Sequence, residues 1–229
     1  MFSQRRCPKK KGFRKKIFLK RKFLRSLFLH IEKDKGKGTV SDIEREILDQ
    51  GMVYIQMRLP VDKITKEFEE SLEKKIEHNI YHAAIREATE KDLQSVVNIY
   101  NKSWLTANTP FRPIGRDALK KIFVDPNTVF LIAKAYGIDG AFAILDFEGD
   151  NKEYGVIAGL GVLPRFQRKG LGTVLGLAAW NYFKKKGVKE LRCEVYKENQ
   201  RSFNFINGLN FEVYGQKSYR KEDFELENA

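Results

Sequence analysis

Cysteine is scarce, with 2 in 229 residues. Cys7 and Cys193 are too few and too differently placed for a disulfide framework, which points to a reducing, cytoplasmic setting. Cys193 alternates with apolar neighbours and reads as a small core filler. Histidine is also rare, at 3 residues. His78 and His82 stand one helical turn apart, but a zinc site takes three or four protein ligands and no third is near, so no metal is expected. No apolar run approaches the roughly 18 residues of a membrane-spanning helix, so no span is expected. Internal repeats are absent. So is the P-loop Gly-Lys-Ser/Thr, and the dinucleotide fingerprint fails because Leu175 stands where its third glycine is required.

Positive charge is plentiful, with 43 Lys or Arg against 30 acids and a net charge of +13. Its distribution matters more than its size. Residues 1–38 hold 15 Lys or Arg and 2 acids, whereas residues 39–229 hold 28 of each. The basic balance therefore belongs to the first segment, and the remainder is electrically even. Residues 1–35 fit an arm that contacts nucleic acid or the ribosome, a helix on an anionic membrane surface, an import peptide, or a solvated extension. A hydrophobic content of 42% is enough for a proper core in the remainder.

The most informative stretch is Val162-Leu163-Pro164-Arg165-Phe166-Gln167-Arg168-Lys169-Gly170-Leu171-Gly172. It reads as a strand ending at Pro164, a turn rich in cations and glycine, and the start of a helix. A helix N-terminus presents unpaired N–H groups and roughly half a positive charge, which favours a phosphate. Gly170 and Gly172 let an anion approach the backbone. Arg165, Arg168 and Lys169 add charge nearby.

The flanking pattern supplies context. Upstream, Ala84–Ala88 reads as a strand, and Thr89 with Asp92 as the cap of a helix bearing Leu93, Val96, Val97 and Tyr100 on one face. A second helix spans about 117–123. Strands are predicted at 128–135, 141–146 and 156–162. Downstream come a helix over 171–186 stopped by Gly187, a strand at 191–196, Asn199, a short segment with Ser202 and Phe205, and a strand at 212–219. The order β-α-α-β-β-β-α-β-α-β, with Gln167-x-x-Gly170-x-Gly172 in register, resembles the GNAT superfamily of acetyl-CoA-dependent N-acetyltransferases over roughly residues 82–221.

That resemblance implies an α+β fold with a mixed, mostly antiparallel sheet flanked by helices. The chain then divides into a basic tail (1–38), an α/β extension packed on the main domain (39–81), the acetyltransferase domain (82–221) and an acidic tail (222–229). In the extension, Ser41 and Glu44 form a capping box, Met52–Leu59 alternates like a strand, and Asp62 is expected to cap a helix carrying Ile64, Phe68, Leu72 and Ile76. Those apolar residues are expected to pack on the sheet, with a homodimer surface as the alternative to a monomer.

The resemblance also implies the site. The turn residues Gln167, Arg168, Lys169, Gly170, Leu171 and Gly172 would hold the diphosphate of acetyl-CoA. Leu160 and Val162 would offer main-chain contacts to its pantetheine arm, and Asn199 and Ser202 would complete that side. The family's Glu on its fourth strand aligns with Val156 here, so the proton acceptor must lie elsewhere. Glu194 and Glu153 are the candidates, with Asp146 and Glu148 behind them. The family's Tyr seven residues after the Asn is Ile206, so Tyr214 is the candidate acid, with Tyr196, Tyr219 or solvent as alternatives. Asn210 replaces the family's glycine and tolerates a left-handed turn. Trp104, Phe111 and Arg112 are placed to meet the acceptor, a small-molecule or peptide amine. The implied activity is acetyl transfer to a primary amine, and the alternative is a non-catalytic CoA-binding regulator or scaffold tethered to a polyanion by the tail.

Overall fold

A computed structural model describes residues 51–77, 83–107 and 113–220. Its strands are β1 (Met52–Pro60), β2 (Ala84–Glu87), β3 (Thr128–Ala135), β4 (Ile138–Glu148), β5 (Tyr154–Val162), β6 (Glu190–Tyr196) and β7 (Glu212–Tyr219). The helices are α1 (Lys66–Glu77), α2 (Leu93–Trp104), α3 (Arg116–Phe123), α4 (Leu171–Lys185) and α5 (Gln200–Asn207). All strands share one sheet, in the order β2-β3-β4-β5-β6-β1-β7. Only the β5–β6 pair is parallel. The sheet is thus mixed, mostly antiparallel and flanked by helices, as the resemblance implies.

Each face of the sheet is covered by an amphipathic stripe. Thr89 and Asp92 form the capping box of a 3-10 turn, Glu90–Asp92, that leads into α2, and Leu93, Val96 and Tyr100 are fully buried against Phe130, Ile132, Phe142 and Ile144. On the other face, Leu171, Leu175, Ala179 and Phe183 of α4 pack on Ala133, Ala143 and Leu145. Phe183 lies so close to β5 that a Cβ on Gly155 would sit 2.6 Å from its ring. Cys193 is buried among these residues.

β1 pairs antiparallel with β6 on one side and with β7 on the other. β6 and β7 therefore run parallel to each other, joined by α5 as a crossover. β1 is a member of the sheet rather than an element laid on it, and Met57 at its centre is 0% exposed. α1 packs against α4, with Leu72 buried and Ile64 and Phe68 against the same cluster. Trp180 Nε1 and Lys184 Nζ of α4 donate to the Glu69 carboxylate of α1.

The cap of α1 is Thr65, whose Oγ1 accepts from the Phe68 N–H at 3.2 Å. Asp62, the expected cap, sits in a 3-10 turn at Val61–Lys63 that ends on an extended Ile64, one turn too early. Asn210 adopts the left-handed conformation at φ 63. The basic tail, the Ser41–Glu44 box, the side chain of Ile76, His78, His82, Phe111, Arg112 and residues 222–229 lie outside what is described. No described helix is long and apolar enough to cross a membrane.

Candidate active site

The site is a consequence of two strands parting. β5 and β6 pair only from Tyr154–Ile157 against Glu190–Cys193. Immediately afterwards β5 carries a bulge: Leu145 faces Ile157, Ile144 faces Gly159, and Ala158 is the extra residue. A bulge bends its strand, so beyond Ala158 β5 follows β4 while β6 follows β1. The gap is a cleft of two lobes that share Trp104, Leu160, Asn199, Ser202 and Phe205 in their linings. The larger, about 370 Å³, reaches the start of α4, and the smaller reaches Glu194.

The α4 end is built for an anion. Arg168 and Gly170 take left-handed φ values of 57 and 80, and the chain turns there into the helix. The first N–H bonded within the helix is that of Val174, to the Gly170 carbonyl at 3.0 Å. The N–H groups of Gly170, Leu171, Gly172 and Thr173 have no acceptor inside the helix. Gly170, Gly172, Thr173, Arg168 and Arg201 line the lobe, and no acid does so among the described residues. Two cations and a helix N-terminus make that lobe electropositive. Gly172 also admits α5, since a Cβ there would lie 3.3 Å from the Phe205 ring.

Other turn residues play supporting parts. The Gln167 amide donates to the Val162 carbonyl at 2.9 Å and to Thr106 Oγ1 at 3.0 Å. It thereby ties the end of β5 to the segment after α2. Arg201 reaches the same segment, donating to the Thr106 carbonyl at 3.1 Å. The Leu171 side chain is fully buried, so only its N–H faces outward from the core. Arg165 stacks over the Phe166 ring at 4.8 Å, and neither it nor the exposed Lys169 lines the cleft. Leu160 lines both lobes, and Val162 lines the larger one. Asn199 is the N-cap of α5, its Oδ1 accepting from the Ser202 N–H at 3.0 Å.

At the other end stands Glu194. Its Oε2 accepts from Tyr219 Oη at 2.7 Å and its Oε1 from Gln56 Nε2 at 3.1 Å. Tyr54 and Tyr196 line the same lobe. Burial, and secondarily the nearby Glu198, raise the Tyr196 phenol above its usual pKa. Trp104 stacks on Tyr100 at 4.4 Å and contributes to the wall between the lobes.

Two sequence candidates lie elsewhere. Glu153 closes the β4–β5 hairpin, where its carboxylate accepts from the Asn151 N–H at 2.9 Å. Backbone hydrogen bonds, its own first and then that of Asn151, hold its pKa below the usual carboxylate range. It does not line the cleft. Tyr214 is the extra residue of a bulge in β7, where Gln56 faces Gly215 and Met57 faces Val213. The bulge turns its ring outward to Arg58 and Arg192, at 5.7 and 5.8 Å. Asp146 and Glu148 are buried on β4, and neither borders the cleft. Ile206 lines the smaller lobe where the resemblance places a Tyr, and leaves that point apolar.

Tyr54, Gln56, Ser103, Thr106, Thr173 and Arg201 belong to the site without having been anticipated. Thr173 and Arg201 had a local signal, Thr173 directly following Gly172 and Arg201 lying two residues after Asn199. Gln56 and Tyr54 had none, because Gln56 meets Glu194 across 138 residues of sequence.

The model of the acetyltransferase (GNAT) family matches residues 93–211, just over half of the chain. Solved structures with similar folds include the PaiA N-acetyltransferase from Thermoplasma acidophilum in complex with coenzyme A, with 22% identity, 60% of this chain and 99% of that one covered, and a TM-score of 0.53. A possible acetyltransferase from Clostridium difficile 630 gives 20% identity, coverage of 60% and 95%, and a TM-score of 0.51. The aminoglycoside N-acetyltransferase AAC(6')-Iy in complex with CoA gives 22% identity, coverage of 61% and 95%, and a TM-score of 0.50. No curated protein matches in sequence. With its parted parallel strands, its glycine-rich turn into α4 and a family match over residues 93–211, the chain belongs to the GNAT acetyltransferase family.

Proposed function

We propose that the protein transfers an acetyl group from acetyl-CoA to a primary amine by direct attack on the thioester, with Glu194 as the proton acceptor. The observation that carries this reading is the continuity of the cleft. One end is a lobe at the N-terminus of α4 that no acid lines among the described residues, and the other is a carboxylate. A diphosphate fits the first, since the N–H groups of Gly170 to Thr173 face it with Arg168 and Arg201 beside them. The unpaired edge of β5 at Leu160 and Gly161 runs from that lobe towards Glu194, along the path of a pantetheine arm. The CoA and aminoglycoside named for the structural neighbours are consistent with this assignment.

The chemistry requires a base. An alkyl ammonium has a pKa near 10.4, so only about one in 2,500 is free amine at pH 7. Glu194 takes the proton as the nitrogen–carbon bond forms and the carbon–sulfur bond breaks. The leaving thiol, with a pKa near 8.5, is a tolerable thiolate. Tyr196, whose raised pKa keeps it protonated, lines the same lobe and is able to protonate the sulfur. The apolar Ile206 and buried Tyr54 exclude water from the thioester, which favours aminolysis over hydrolysis.

Thiol release from acetyl-CoA, measured over a panel of small amines, aminoglycosides and peptides with free N-termini, tests this reading. At least one acceptor is expected to raise the rate well above hydrolysis, and Glu194→Gln to remove that rise while acetyl-CoA still binds. Tight acetyl-CoA binding with no responding acceptor would instead leave the non-catalytic alternative standing.

A further inference from the structure

We propose that Gln56 and Tyr219 are positioning residues for Glu194, so that β1, a strand outside the family-matched residues, completes the reactive end of the cleft. The inference rests on the reading of Glu194 as proton acceptor. Its geometry is independent of that reading. Each carboxylate oxygen of Glu194 accepts one hydrogen bond from a neutral donor, Tyr219 Oη at 2.7 Å and Gln56 Nε2 at 3.1 Å. Two donors on two oxygens fix both the rotation and the tilt of the carboxylate plane.

The register explains how the donors arrive. Gln56 lies directly opposite Glu194 on β6 and opposite Gly215 on β7. A Cβ on Gly215 would stand 3.0 Å from Gln56 Oε1. The missing side chain thus leaves room for the Gln56 amide to lie flat between the strands, its oxygen towards Gly215 and its nitrogen towards Glu194. Tyr219 faces Met52 on β1. Its ring is buried edge-on against Tyr54, with centroids 5.6 Å apart, which aims the hydroxyl across β1 at Glu194. Both donors fall outside residues 93–211. β1 supplies one and packs the other in place.

Tyr54, Tyr196, Tyr219 and Lys217 share the Glu194 face of the sheet, and Lys217 Nζ stands 4.5 Å over the Tyr219 ring. Arg192 and Arg58 lie one step further along and are engaged by Glu190 and Glu212. Two neutral donors therefore supply the direct contacts described. Hydrogen bonds to a carboxylate favour its charged form. Removing either donor raises the Glu194 titration midpoint and loosens its orientation.

The test titrates Glu194 directly in the full-length protein. Carbon-13 NMR of side-chain-labelled glutamate reports each carboxyl, and the resonance missing from Glu194→Gln assigns the one of interest. Gln56→Met and Tyr219→Phe, which keep size and remove a donor, are each expected to lower the acid dissociation constant several-fold. The double variant should lower it further. Gly215→Ala, which crowds the Gln56 amide while retaining every donor, should shift it in the same direction by less. Gln56→Glu serves as a control, since a second carboxylate must raise the midpoint if residue 56 is in contact. Midpoints of Gln56→Met and Tyr219→Phe that match the wild type, in folded proteins, would overturn the proposal. Failure of the reading of Glu194 as proton acceptor is a separate result: Glu194→Gln would then transfer acetyl groups at the wild-type rate, whatever the titrations show.

Discussion

Thr173→Glu isolates the anion seat, because it sets the helix and the ligand against each other. Thr173 is the third residue of α4 and lines the larger lobe. An acid in the first turn of a helix is favourable by about 0.3–1 kcal/mol, so the fold should gain slightly. A diphosphate held by the first-turn N–H groups would lie roughly 6 Å from the new carboxylate. At an effective dielectric near 20, two like charges at that distance repel by about 2.8 kcal/mol. Physiological salt screens this by about half. Some 1.4 kcal/mol remains per phosphate charge, a loss of at least about tenfold in affinity for acetyl-CoA. Calorimetric titration reads the affinity and a thermal melt reads the fold. Thr173→Gln, similar in size and uncharged, should bind nearly as the wild type, and the penalty should shrink in about 1 M salt. Unchanged affinity in Thr173→Glu, or an equal loss in Thr173→Gln, would refute the placement of the phosphates.

Other perturbations have equally definite outcomes. Asp92 accepts from Arg86 at 2.7 and 2.8 Å, and that partner first, then the Thr89 backbone and hydroxyl, hold its pKa well below the usual carboxylate range. Its contribution is present above the unfolded value near 3.9 and disappears as pH falls towards the depressed folded value. Asp92→Asn should therefore cost about 1 kcal/mol in urea unfolding at pH 7 and progressively less in acid. Phe183→Ala should cost about 3–5 kcal/mol in the same assay, because a fully buried ring leaves a cavity against Gly155. Gly161→Ala should cost about 1–3 kcal/mol by overpacking and weaken acetyl-CoA binding as well, since its Cβ would lie 2.5 Å from the buried Phe142 ring and 2.7 Å from Ser103 Oγ on the wall of the cleft.

What the sequence made legible was local. The Thr89–Asp92 capping box, the stripes of α2 and α4, the turn at Gly170 and the strand at Glu212–Tyr219 are each written within a few residues, and each is where periodicity or capping chemistry places it. The cap of α1 was misread for a local reason too: Asp62 and Thr65 both offer a suitable oxygen, and only the 3-10 turn at Val61–Lys63 decides between them. The site beyond the glycine turn depended on long-range pairing. Alternation marks Met52–Leu59 as a strand but carries no information on its neighbours, so the slot between β6 and β7 was invisible. With that slot unknown, nothing distinguished Glu194 from Glu153. Tyr214 was misplaced by a single bulge, which reverses the face to which every later residue of β7 belongs.

The most direct measurement is a crystal structure of the protein with acetyl-CoA. The diphosphate is expected on the N–H groups of Gly170 to Thr173, the pantetheine along Leu160 and Gly161, and the thioester carbon in the lobe bordered by Glu194, Tyr196 and Ile206. Coenzyme bound away from α4, or a thioester out of reach of the Glu194 carboxylate even through one water, would contradict the mechanism at its root.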